Sequence, residues 1–173
     1  AFPTLHDSRA SVGYRFEFGG ISVGYMTDTG CVTDRMEQML SGCEAVVLES
    51  NHDEQLLLSG PYPYELKLRI RSNRGHLSNR DAAALAARLA ERGTRHFLLA
   101  HLSETNNYPA IAYDETASAL AGSGATVAVA EPRDITMLVG AVGEPVARAG
   151  ARMPAAAGGA ERSAASAMGG ALL

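Results

Sequence analysis

Short apolar runs that alternate with helical segments limit most strongly what this chain can fold into. Ala45–Glu49, His96–Ala100 and Thr126–Ala130 are mostly apolar runs of strand length, as expected of buried parallel strands. Helical patterns lie between them, and the clearest one begins at Ser78 with a side-chain cap and ends at Gly93. Strands that alternate with helices predict an α/β architecture.

A β-hairpin precedes this alternation and adds an antiparallel, α+β element. Val12–Phe18 and Ile21–Tyr25 alternate apolar and polar residues with a period of two. Gly19-Gly20 joins them, and two glycines accept the positive φ angles of a two-residue primed turn. Three further helical segments are predicted: a short helix capped by Thr33, a region over about 54–71 interrupted at 60–63, and a helix from Pro109 to about Leu120.

Composition limits the class of protein but not its activity. The chain has 173 residues and a net charge of −4, with 46% hydrophobic and 20% charged residues, which fits one soluble globular domain. Its apolar runs are too short to cross a membrane, and two cysteines cannot form a disulfide scaffold. We therefore expect a cytoplasmic protein without a membrane partner, folded over residues 1–140, with an Ala- and Gly-rich disordered tail over 141–173.

Polar residues that can bind metal follow the ends of the predicted strands. Asp28 follows the hairpin, Glu49–Asp53 follows the second apolar run, and His101 follows the third. His6 and His76 lie in irregular segments. Sites gather at the carboxyl ends of strands, and imidazole with carboxylate suits a divalent metal. On spacing alone, a metal site and a set of ordinary turn and surface residues remain equally open.

The order of these segments resembles a known family. The segments in question are His6-Asp7, Thr27–Gly30, Glu49–Asp53, Gly75–Asn79 and His101–Asn107. Over residues 4–117 the chain resembles the metallo-β-lactamase-fold hydrolases, and within them the YycJ (WalJ) branch of exonuclease-like phosphodiesterases. The resemblance implies a metal-dependent hydrolase that acts as a phosphodiesterase or nuclease on DNA.

The resemblance also implies roles for individual residues. His6, Asp28 and His101 match metal ligands, with Asp28 bridging two divalent ions. Zinc is the expected metal, with manganese and iron open. His76 matches a proton donor or substrate contact beside the metals. Lining or supporting roles are implied for Asn51, Ser103 and Asn106.

One family motif has no counterpart in this sequence. The family carries a His-x-His-x-Asp-His segment that supplies most of the metal ligands, and this chain has none. The resemblance therefore implies the second, C-terminal half of a four-layer αββα sandwich, whose missing N-terminal half is a partner. We expect the chain alone to bind metal weakly, to be inactive as a hydrolase, and to be poorly stable or to associate with another copy through an uncovered sheet face.

A basic strip lies beside His76. Lys67, Arg71 and Arg74 have the i, i+4, i+7 spacing of one helix face, and Arg69 and Arg80 add to its charge. The strip is either a phosphate-binding surface for nucleic acid or a solvated helix face, and both interpretations remain open.

Three functions remain for this sequence. A DNA phosphodiesterase or nuclease is favoured by the basic strip and the Gly75-His76 segment. A thioester or other small-ester hydrolase of the same fold is the second. A non-catalytic half-domain is the third, because the ligand set is incomplete.

Overall fold

The fold is that of a computed structural model, and the structure describes residues 1–131 and Thr136. The predicted tail, 141–173, lies outside the described residues. The strands are β1 (Phe2–Pro3), β2 (Val12–Phe18), β3 (Ile21–Met26), β4 (Ala45–Glu49), β5 (His96–Ala100) and β6 (Thr126–Val129). The helices are α1 (Asp34–Leu40), α2 (Glu54–Ser59), α3 (Tyr64–Ile70), α4 (Asn79–Glu91) and α5 (Pro109–Ala119).

The strands form one six-stranded mixed sheet in the order β1 to β6. The predicted hairpin is confirmed: β2 and β3 are antiparallel, and Gly19 and Gly20 have φ angles of 57° and 82° at the turn. β3, β4, β5 and β6 are parallel to one another. The carboxyl ends of β3, β4 and β5 therefore meet at one edge of the sheet, where parallel-sheet sites are usually found.

Side-chain caps mark the starts of α1 and α4. Thr33 accepts a hydrogen bond from the backbone N–H of Met36, and Ser78 accepts one from Asp81, as the sequence predicted. The main hydrophobic core lies between one face of the sheet and the helices that pack on it. Its largest members include Phe97 on β5 and Leu85 on α4, both fully buried. In the described part of the chain, no helix combines the length and apolar character needed to cross a bilayer.

The opposite face of the sheet exposes large apolar side chains near its hairpin edge. Tyr14, Phe16 and Phe18 alternate along β2, and Ile21 and Tyr25 lie opposite them on β3. Phe18 is 88% exposed and Phe16 54% exposed. This is far more exposure than a monomeric domain usually leaves on contiguous aromatic residues.

Candidate active site

A cluster of carboxylates and imidazoles lies at the carboxyl edge of the sheet. Asp28 follows β3, Glu49 ends β4, His101 follows β5, and His76 lies in the segment before α4. Each offers one ligand atom, and these four atoms all lie within 4.8 Å of one another. Three strand ends and the segment before α4 therefore bring together Asp28, His76 and His101, which the sequence singled out, along with Glu49.

Two residues of this cluster have an unusual backbone conformation. Asp28 and His101 have φ angles of 57° and 58°, and in the part of the chain that the structure describes they are the non-glycine residues with positive φ. Each carbonyl oxygen is fixed by a side chain: Ser11 Oγ donates to Asp28 at 3.1 Å and Asn51 Nδ2 to His101 at 2.9 Å. Such conformations cost about 1–3 kcal/mol each and collect at functional sites, where surrounding contacts enforce them.

Glu49 is the centre of the cluster. Its side chain is fully buried, and its Oε1 lies 2.7 Å from the Nδ1 atoms of both His76 and His101. Its Oε2 accepts the backbone N–H groups of Thr29 at 3.0 Å and Leu77 at 3.4 Å. Burial raises the pKa of Glu49, but the hydrogen bonds from the two histidines and Thr29 outweigh it and hold the pKa below its usual range.

The ionised carboxylate decides how the two histidines are protonated. A carboxylate only accepts hydrogen bonds, so His76 and His101 each donate from Nδ1. In the neutral ring the Nε2 atom then carries the lone pair, which is the arrangement seen when a carboxylate orients a metal-binding histidine. The hydrogen bond to Glu49 raises the pKa of His101, against the opposing effect of burial.

His6 approaches the cluster from the segment after β1. Its Nδ1 lies 2.9 Å from the Gly75 carbonyl oxygen, so it donates there, and its Nε2 lies 3.9 Å from Asp28 Oδ1. The His6 and His76 ring centroids are 4.8 Å apart. Two ligand atoms that share a zinc ion are at most about 4 Å apart, because each lies roughly 2 Å from it. The separation of His6 from Asp28, and their mixed nitrogen and oxygen donors, fit such an ion.

The cluster opens into a cleft of about 630 Å³. One wall comes from the region of α3 and is lined by Tyr62, Leu66, Arg69 and Ile70, and residues 102–105 line another part of the cleft. At the rim, Arg69 Nε donates to Asp7 Oδ2, and Asp7 Oδ1 lies 3.3 Å from His6 Nε2. The hydrogen bond from Arg69 holds the pKa of Asp7 below its usual range.

The three predicted lining residues are divided between the cleft and the layer beneath it. Asn51 and Ser103 line the cleft. Asn106 does not: it is buried, and its Oδ1 has no hydrogen-bond partner among the described residues. Its backbone and side-chain N–H groups donate to Ser103 Oγ at 3.1 and 3.4 Å. Asn106 therefore touches the site through Ser103.

The predicted basic helix face does not extend to Arg74, and the phosphate-binding role of Lys67, Arg71 and Arg74 stays a prediction. Helix α3 ends at Ile70, so Arg74 lies beyond the helix and shares no helical face with Lys67 and Arg71. The ammonium group of Lys67 donates to the carbonyl oxygens of Leu58 and Gly60, each at 2.7 Å. Lys67, Arg71 and Arg74 do not line the cleft, whereas Arg69 does. After Arg71 the backbone N–H groups of Ser72 and Gly75 donate to the carbonyl oxygens of Arg69 and Ser72, which are turn hydrogen bonds and not helical ones.

A buried amide network ties together the segments that carry the site. Asn79 and Asn107 exchange side-chain hydrogen bonds at 2.9 Å in both directions. Ser50 Oγ donates to Asn79 at 2.7 Å, and Asn107 Nδ2 donates to the carbonyl oxygens of Ser50 and Asn51. The polar residues of three separate segments thus satisfy one another below the cleft.

Sequence reasoning assigned no individual site role to Asp7, Glu49 or Arg69. Glu49 carried a usable signal, because an acidic residue that ends a buried apolar strand must find partners. Asp7 and Arg69 are 62 positions apart, and nothing in their spacing predicts that they pair.

Known proteins resemble this chain in sequence. Residues 1–102 match the beta-lactamase superfamily domain. The exodeoxyribonuclease YycJ of Bacillus anthracis is 41% identical over 112 residues, which cover 65% of this chain and 42% of that protein. The exodeoxyribonuclease WalJ of Streptococcus pneumoniae serotype 2 is 38% identical over 129 residues, which cover 75% of this chain and 48% of that protein. The chain thus spans about half the length of the curated relatives it matches.

A solved structure shows the same fold. The metallo-beta-lactamase fold protein YhfI from Bacillus subtilis aligns with a TM-score of 0.54 and 18% identity, covering 75% of this chain and 45% of that one. The mixed α/β sheet and the domain match agree with this architecture. The chain therefore belongs to the beta-lactamase superfamily and has the metallo-β-lactamase fold.

Proposed function

We propose that this chain carries part of the active site of a metal-dependent phosphodiesterase that acts on DNA. The observation that carries the proposal is the cluster of Asp28, His76 and His101 around buried Glu49 at the floor of an open cleft. Two relatives at 38% and 41% identity that are named exodeoxyribonucleases support DNA as the substrate.

His6, Asp28 and His101 would hold the metal. The donor types, and the 3.9 Å between His6 Nε2 and Asp28 Oδ1, fit zinc, and two divalent ions are proposed for the complete site. When bound, such ions supply Lewis-acid chemistry, which polarises a phosphodiester and activates water. Three ligands are fewer than the four of a closed zinc site, so we expect the 173-residue chain alone to bind zinc weakly.

The chain's own contribution to proton transfer centres on His76. Its Nδ1 donates to Glu49, so the Nε2 atom is the position where a proton is taken up or released. With a proton on Nε2 as well, the ring can donate that proton to the leaving oxygen. Glu49 also fixes the ring orientation through its four hydrogen bonds.

The proposal is tested with a chimera. The chain is joined to the part of the Bacillus anthracis YycJ protein that it does not match, and hydrolysis of a labelled DNA strand is measured with added zinc or manganese and with a chelator. We expect metal-dependent release of nucleotides, lost by at least a hundredfold in Asp28→Asn because the variant removes a charged ligand.

A matched control separates ligand loss from a general charge effect. Asp34→Asn makes the same change at an exposed position in the first turn of α1, away from the cleft, and should retain activity. Hydrolysis that survives Asp28→Asn or the chelator would contradict the proposal. Cleavage of a thioester panel in preference to DNA would instead support the small-ester alternative.

A further inference from the structure

Among the described residues, the lining of the cleft has a single permanently charged cation and several carboxylates. In the part of the chain that the structure describes, its lining includes the carboxylates of Asp7, Asp28 and Glu104 and the guanidinium of Arg69. An anionic substrate that enters such a cleft meets repulsion from the carboxylates, and Arg69 is the one permanently charged side chain of this lining that can attract it.

Asp7 holds Arg69 by one side of its guanidinium. The Nε atom of Arg69 donates to Asp7 Oδ2, while its Nη1 and Nη2 atoms make no hydrogen bond to a described residue. The Arg69 side chain is 64% exposed, so these nitrogens remain accessible from solvent. An arginine held at Nε still presents donors from both terminal nitrogens, which match two oxygens of a phosphate group.

We propose that Arg69 is the phosphate-binding residue of this cleft and that Asp7 positions its guanidinium. The substrate class is a phosphate monoester or diester whose phosphate lies against the α3 wall, beside the His6 and Asp28 side chains. The inference refines the proposed function and rests on it for the identity of the natural substrate. It replaces the helix face predicted for Lys67, Arg71 and Arg74 with one arginine of the same strip.

A variant of Asp7 separates the effect of net charge on anion binding from the effect of holding Arg69 in a fixed orientation. If only net charge matters, Asp7→Asn removes a negative group from the rim and should tighten the binding of an anion. If Asp7 orients Arg69, the same variant should weaken binding, because a neutral amide oxygen holds the guanidinium less firmly than a carboxylate does. The two interpretations predict opposite signs for one measurement.

The experiment titrates the ¹⁵N-labelled 173-residue chain with thymidine 5′-monophosphate at low salt and follows the arginine side-chain signals by NMR. We expect saturable shifts of the Arg69 Nε and Nη signals. Arg69→Gln should raise the Kd by about tenfold or more, the effect of losing hydrogen bonds to a charged group. Arg69→Lys should recover part of the affinity, because it keeps the charge and loses the paired donors.

Arg74→Gln is the matched control, since it removes a neighbouring positive charge that does not line the cleft. We expect it to change the Kd by less than twofold and Asp7→Asn to raise it. Any of three results would overturn the proposal. They are equal effects of Arg69→Gln and Arg74→Gln on the Kd, tighter binding by the Asp7→Asn variant, and no saturable shift of the Arg69 signals. DNA hydrolysis by the chimera tests the proposed function separately, because it can succeed or fail whatever Arg69 binds.

Discussion

At the scale of the residue, this site depends on how one buried carboxylate is satisfied. Glu49 has no exposed surface, and an unpaired charge there would cost several kcal/mol. Two imidazole N–H groups and two backbone N–H groups meet that need and in turn fix both rings. The hydrogen bonds that compensate the buried charge thus also orient His76 and His101, whose rings face the cleft.

His52 shows the opposite situation. It is buried near the cluster, its Nδ1 has no partner among the described residues, and burial lowers its pKa to about 4. Glu49 opposes this shift, while the charges of His76 and Arg71 add to it. His52 is therefore neutral in the folded chain at pH 7, and it does not line the cleft.

The buried position of His52 predicts a loss of stability in mild acid. The unfolded chain takes up a proton near pH 6.5, whereas the folded chain does so only near pH 4. Folding is therefore penalised progressively as the pH falls between these values, by about 2 kcal/mol at pH 4.5. Urea unfolding of the 173-residue chain at pH 7 and pH 4.5 measures the difference. His52→Gln should remove this part of the pH dependence, and an unchanged difference would contradict the prediction.

At the scale of the element, the segment between α3 and α4 is determined by a close approach of backbones. A Cβ atom at Gly75 would lie 2.3 Å from the Arg69 carbonyl oxygen and 2.1 Å from that of Ile70. The Gly75 carbonyl oxygen accepts the hydrogen bond of His6, and the next residue is His76. A single glycine thus lets the turn after α3 place the His76 ring in the cluster and hold the His6 ring beside it.

Gly75→Ala should displace this segment and destabilise the chain. We expect a loss of more than about 3 kcal/mol in the free energy of unfolding, because the new methyl group meets backbone atoms that cannot give way by a rotamer change. Urea unfolding provides the measurement. Gly122→Ala is the matched control: its φ of 81° is strained for alanine, but no atom lies near its Cβ position. Its cost should stay at about 1–2 kcal/mol, and equal losses would rule out the steric explanation.

The elements themselves were largely predictable, because their causes are local. The Gly19-Gly20 turn and the caps at Thr33 and Ser78 act within a few residues of their position in the chain. The apolar runs became the central parallel strands for the same reason. The helix face predicted for the basic strip did not form as far as Arg74, because the spacing of Lys67 and Arg74 assumed one helix, and α3 ends between them.

At the scale of the whole molecule, the described part of the chain covers one face of the sheet and leaves the other open. Helices and the main core cover one face, whereas Tyr14, Phe16 and Phe18 remain exposed on the other. Val47 and Leu98, half-buried on the neighbouring parallel strands, continue the open face. Contiguous exposure of this kind favours contact with another apolar surface.

The open face predicts that the isolated chain associates. Sedimentation velocity over a hundredfold range of concentration should show a species larger than the monomer, because pairing of two such faces removes aromatic surface from water. Phe16→Lys with Phe18→Lys should shift the equilibrium toward the monomer. Tyr108→Lys, at a similarly exposed aromatic residue before α5, should leave the association unchanged. A monomer at every concentration would contradict the prediction.

The sequence by itself determined the order of strands and helices, the hairpin and the residue types offered at the strand ends, because these follow from periodicity, capping and turn chemistry along a short stretch of chain. Only the tertiary structure decided which of those side chains meet. Glu49 joins His76 and His101, and Arg69 reaches Asp7, across separations that no local pattern encodes. The physical reason is that the partners of a buried charge such as Glu49 are the donors that lie next to it after folding. Which donors lie there depends on how the whole sheet and its connecting segments pack.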